Sequence, residues 1–164
     1  MPPHASGLSV RVQVSSSPSG SPATPAVRLP RPVSLRAVAD VAKRVLEAER
    51  VSHASLDITF VSARRIAAMN VKHLQHRGPT DVISFGFERA SADGPVEGDI
   101  YIAPEIAKRN AAAAGERFAT EIVRLVIHGT LHVLGHDHPE DDARYTSAMW
   151  KRQEALLRRE LGRA

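Results

Sequence analysis

At 164 residues, 43% of them hydrophobic and 24% charged, the chain can form one cored domain, and its composition excludes wholesale disorder. It contains no cysteine, which excludes disulfides, thiolate zinc sites, iron–sulfur clusters and thiol nucleophiles; any metal must be held by nitrogen and oxygen ligands, and the 8 histidines become the residues to follow. Lys+Arg exceed Asp+Glu by 22 to 18, a mild bias toward an anionic partner such as nucleic acid, while the lack of an apolar run near the ~20 residues of a membrane helix, and of a signal-peptide layout, predicts a cytoplasmic protein without a membrane partner.

Leu8, Val10, Val12 and Val14 alternate with polar residues, the period of a strand with one buried face. Residues 15–32 carry five prolines and five serines, a composition that cannot build a core, and read as a flexible insertion within a single domain spanning 1–164. From Ser34, a candidate N-cap, apolar residues recur at three and four and predict a helix over 34–49. Leu56, Ile58 and Phe60 mark a second strand, and residues 62–73 a second helix. Two further strands are predicted near 81–87 and 98–102, separated by the turn-like Ala92-Asp93-Gly94-Pro95. Pro104 opens a helix that ends at Gly115, and the strongly apolar segment 116–134 predicts a buried helix. Pro139 suits a first helical position, and Glu140, Asp141 and Asp142 suit the positive end of a last helix over roughly 139–161. This order predicts an α+β fold: a mixed four-stranded sheet packed by about five helices, with a metal site at the end of the buried helix.

The segment HGTLHVLGHDH, residues 128–138, holds half of the chain's histidines. On a helix turning ~100° per residue, His128 and His132 differ by ~40° in azimuth and ~6 Å in rise, so both imidazoles point the same way and can share one ion. Two hydrogen-bonded core side chains are the bland alternative for such a pair. His138 would lie ~9 Å beyond His132 on an unbroken helix and ~120° away in azimuth, so the helix must stop first. Gly135 supplies the stop, since glycine takes the left-handed C-cap conformation at little cost, and Pro139 constrains the corner that follows. His138 is therefore favoured over His136 as third ligand. The predicted centre is one Zn²⁺ held by His128, His132 and His138 with a fourth position free, the arrangement that lowers the pKa of bound water toward ~7. Asp137 can orient a ligand histidine, act as base toward the attacking water, or be a solvated turn residue. Zincin peptidases share the His spacing but place Glu directly after the first histidine; Gly129 stands there, which disfavours that mechanism.

Three ordered motifs extend the pattern. PTDVISF at 79–85 and GDIYIAPEIAKRNA at 98–111 precede the histidine segment with its trailing PEDD, and together over about residues 33–161 they resemble the YbeY family of metal-dependent endoribonucleases and rRNA maturation factors. The resemblance implies a zinc-type hydrolase that cuts single-stranded RNA, works with the small ribosomal subunit and its associated proteins in rRNA 3′-end processing and quality control, and has no DNA partner. It also implies that Ser84 lies near the metal. Where many members carry an Arg five residues before the Pro of PTDV, Leu74 stands here. Arg77 is the nearest cation and is taken, with Asp137, as a candidate catalytic residue.

Arg64, Arg65, Lys72 and Arg77 are candidates for positioning an anionic backbone, with a solvated helix face as the alternative for the group. Asp81 reads either as a strand-start residue or as part of the cleft. Aromatic residues make up only 4% of the chain, so base stacking gains no support. A second functional expectation is a non-catalytic ribosome-assembly factor in which the metal merely locks the fold.

Overall fold

Alternating apolar residues build four strands, β1 (Gly7–Val14), β2 (His53–Phe60), β3 (Val82–Gly86) and β4 (Val96–Ile102), joined in one sheet of order β1-β2-β4-β3. The computed structural model describes residues 7–15, 27–74 and 80–163. β1, β2 and β4 run parallel, and β3 pairs antiparallel with β4 at one edge, so the sheet is mixed as predicted. The core is centred on β2 and β4, whose Leu56, Ile58, Phe60, Ile100 and Ile102 are all at most 1% exposed.

Five helices follow the expected order: α1 (Leu35–Ala48), α2 (Ala63–Leu74), α3 (Pro104–Ala114), α4 (Phe118–Val133) and α5 (Ala148–Leu161). α1 starts at Ser34, whose hydroxyl accepts the Ala37 N–H at 3.0 Å, and buries the stripe Val38, Val41, Ala42, Val45 and Leu46. α4 packs on α1, α3, α5 and the β3–β4 edge, and Ile122, Leu125, Val126, Ile127 and Leu131 join the main core. None of the helices described is long and apolar enough to cross a membrane.

Two expectations shift. The last helix begins at Ala148, not near Pro139: Asp141 accepts the Ala143 N–H at 2.9 Å and starts a short 3-10 turn over Asp142–Thr146, and Ser147 then caps α5 by accepting the Trp150 N–H at 3.1 Å. The acidic run caps the turn instead of the long helix. Of the predicted insertion, residues 16–26 lie outside the described residues, while Val27 and Leu29, inside its predicted bounds, pack against the core.

Candidate metal centre

α4 presents His128 and His132 one turn apart on the face toward a cleft of about 970 Å³. The helix stops where the sequence predicts: Gly135 takes φ 98°, its N–H reaches the His132 carbonyl at 3.0 Å, and the His136 N–H reaches the Leu131 carbonyl at 3.0 Å. These are the two bonds of a Schellman motif, and they turn the chain back toward the helix end. His138 thereby joins the pair. The three rings stand with centroids 4.6, 5.2 and 4.9 Å apart, and one nitrogen from each lies within 4.8 Å of the others.

Two of the rings are oriented through a further hydrogen bond. His128 Nδ1 donates to Gln153 Oε1 at 2.6 Å, and His138 Nδ1 donates to the Pro139 carbonyl at 2.8 Å. Engagement of Nδ1 in His128 and His138 leaves Nε2 for a ligand, the pattern by which metal-binding imidazoles are held in one tautomer. Burial, reinforced by the neighbouring His132, pushes His128 down to about 4; burial and His138 likewise lower His132. Both rings are therefore neutral near pH 7, the form a metal requires.

The other predicted residues distribute as follows. Asp137 is exposed at the cleft, and its Oδ1 accepts the His138 N–H at 2.8 Å, bracing the corner. His136 turns away: its Nε2 lies 3.3 Å from Glu49 Oε2, and Glu49 also accepts from Arg152 Nε at 2.6 Å. Arg77 lies outside the described residues. Arg64, Arg65 and Lys72 are exposed on α2, Arg65 bonded to Ser15 Oγ, and none of the three lines the cleft, to which α2 contributes Asn70. Asp81 does belong to the cleft; Asn110 Nδ2 donates to its Oδ2 at 3.1 Å, and burial raises its carboxyl above the ordinary range. Gly129 faces β4, where a Cβ would stand 2.7 Å from Ile100 Cγ2, so the position after the first histidine has no room for a base.

Three further features line the cleft, of which only Ser84 has a sequence signal, its place in the PTDVISF motif. Gln153 arrives from α5, 25 positions away from His128. Ser84 Oγ, on β3, is buried at the cleft and has no hydrogen-bond partner among the described residues. Arg124, one turn before His128, is locked by Glu116, Glu121 and Glu154, with Nη1 2.5 Å from Glu121 Oε2 and Nε 3.1 Å from Glu154 Oε2. Three imidazole nitrogen donors, two of them on rings whose Nδ1 is already engaged, with an unpartnered hydroxyl in the same cleft, fit a divalent transition ion with an open position.

A family model described as Endoribonuclease YbeY matches residues 30–160. A protein of Parafrankia sp. (strain EAN1pec) named Endoribonuclease YbeY is 35% identical over 131 residues, covering 73% of this chain and 81% of that protein. One of the same name from Micrococcus luteus is 34% identical over 143 residues, covering 84% of this chain and 88% of its own. The solution structure of TM1509 from Thermotoga maritima shares the fold, with a TM-score of 0.54 at 22% identity over 93% of this chain and 89% of that one.

Proposed function

The chain belongs to the YbeY endoribonuclease family, and from that premise we propose that it is a metal-dependent endoribonuclease specific for single-stranded RNA, acting as one domain in rRNA 3′-end maturation and ribosome quality control in the cytoplasm. The observation that carries the reading is the convergence of His128, His132 and His138 on one cleft. These three residues would hold a single Zn²⁺. Such an ion supplies Lewis acidity toward a phosphodiester oxygen and brings water to a nucleophilic pKa.

The protein's own side chains do the rest. Gln153 and the Pro139 carbonyl keep His128 and His138 in the tautomer that offers Nε2. Asp137 is assigned the proton of the attacking water, and Arg77 the positioning of the RNA backbone. The natural substrate is small-subunit rRNA, met together with ribosome-associated proteins. A non-catalytic assembly factor is the second reading, favoured by Leu74 at the end of α2 where the family carries an arginine.

Chelation decides between them. Stripped protein should lose cleavage of single-stranded RNA and regain it with Zn²⁺, and His132→Ala should behave like the stripped protein; cleavage that survives chelation overturns the metal-dependent reading. Under the second reading, metal removal lowers the melting temperature and no turnover is seen at any metal concentration.

A further inference from the structure

The chain has 1 Trp and 2 Tyr, yet Trp150 and Tyr145 meet in the lining of the metal cleft. Their ring centroids are 4.9 Å apart at 83°, and Tyr145 remains 53% exposed. The Arg144 guanidinium carbon lies 5.7 Å from the centroid of the Tyr145 ring. Both described arginines of the cleft can be compared directly. Arg124 is neutralised by three carboxylates, whereas no described carboxylate pairs with Arg144. Two other acids of the cleft are engaged elsewhere: Asp81 accepts from Asn110, and Asp137 accepts from the His138 backbone.

The three residues are tied to the histidines on both sides. The 3-10 turn that carries Arg144 and Tyr145 follows the His138 corner directly, and Trp150 lies three residues before Gln153 on α5, the side chain that orients His128. The charge of Arg144 is felt at His128, at His132 and at Asp81. An unpaired planar cation beside an open aromatic face is the combination that takes a phosphate and an unstacked base together.

We propose that Arg144, Tyr145 and Trp150 form a subsite for one unpaired nucleotide flanking the histidines, Arg144 taking its phosphate and the Tyr145–Trp150 pair stacking its base. This rests on the nuclease reading, and it adds a phosphate contact on the turn after His138 to the backbone positioning assigned to Arg77. It also makes the site selective for single strands, since a paired base has no free face to offer.

Trp150, as the chain's only tryptophan, reports binding by itself. The metal-loaded full chain is titrated with a phosphorothioate 2′-O-methyl octanucleotide, which resists cleavage, while cleavage of ordinary single-stranded RNA is followed in parallel. Trp150 emission should change on binding. Arg144→Ala and Tyr145→Ala should each raise Kd about tenfold, and Tyr145→Phe should restore it. Arg144→Ala should also make the slope of log K against log salt shallower by about 0.7, one phosphate contact on a single strand. Melting temperatures of the variants should match the parent, because both side chains lie at the cleft surface. Parental affinity in both alanine variants, or binding that leaves Trp150 emission unchanged, overturns the subsite while parental cleavage leaves the nuclease reading standing. If the parent neither binds nor cleaves, both fall.

Discussion

Gln153 Oε1 stands 2.6 Å from His128 Nδ1, and its side chain is only 1% exposed. A buried amide that accepts from an imidazole fixes which nitrogen is left to bind, and removing it frees the ring to rotate and to change tautomer. Gln153→Leu should therefore weaken Zn²⁺ affinity about 10–100-fold, measured by competition with a chromogenic chelator. An unchanged affinity would show that packing alone orients the ring.

Gly129 is set against β4 so closely that propensity and packing oppose each other there. Replacing a mid-helix glycine by alanine gains about 1 kcal/mol of helix propensity. The new Cβ would stand 2.7 Å from Ile100 Cγ2 and 3.1 Å from Ser84 Oγ, and overpacking of this kind costs about 1–3 kcal/mol. Gly129→Ala should lower stability in urea denaturation, and the cost should shrink in an Ile100→Ala background, where the 2.7 Å contact is gone and the propensity gain remains. An equal cost in both backgrounds would refute this account of the glycine.

The parts of this arrangement that were legible in the sequence are those set by local rules. The His128–His132 spacing, the glycine stop at 135 and the alternation of Leu56, Ile58 and Phe60 each act within a few residues, so periodicity and cap chemistry reveal them. Pro139 and the three acids after it are compatible with a helix start, but in the fold Asp141 starts a 3-10 turn and Ser147, unmarked in the sequence reading, caps the long helix. Gln153, Arg124 and the Arg144–Tyr145–Trp150 group carry no local signal, and Ser84 is marked only by its place in PTDVISF. They reach the cleft because α5 and β3 pack beside α4, a tertiary fact that no window of sequence contains. The cations of α2 showed the reverse: a conspicuous run in sequence, and an exposed helix face in the fold.

Glu49 joins α1 to α5 by accepting from Arg152 Nε at 2.6 Å, with His136 Nε2 3.3 Å away. Burial pushes its carboxyl up, but the hydrogen bond and charge of Arg152, followed by those of His136, outweigh it and hold the group below the ordinary 4.5. With the folded value below the unfolded one, the unfolded chain takes up the proton first as pH falls. The stabilisation is therefore complete above 4.5 and disappears as pH drops through the folded value. Glu49→Gln should cost roughly 1 kcal/mol at about pH 7, and the gap between the two proteins in urea denaturation should close progressively as pH falls below 4.5. A gap that persists at the acid end would deny the ion pair its role in joining the helices.

Asp137 braces the His138 corner and is proposed as the base, two roles that one substitution separates. Its Oδ1 accepts the His138 N–H at 2.8 Å, while the side chain stays exposed at the cleft beside the three histidines. Asparagine keeps an oxygen acceptor for the His138 backbone but cannot take a proton from water, whereas alanine loses both. Asp137→Asn should leave Zn²⁺ affinity at the parental value and slow cleavage of single-stranded RNA by about 100-fold or more, as loss of a general base does. Asp137→Ala should slow cleavage as much and also weaken metal binding, because the corner that carries His138 is no longer braced. Measuring both variants by chelator competition and by cleavage rate distinguishes base from brace: full activity in Asp137→Asn would leave this aspartate a structural part of the turn and move the proton acceptor elsewhere in the cleft.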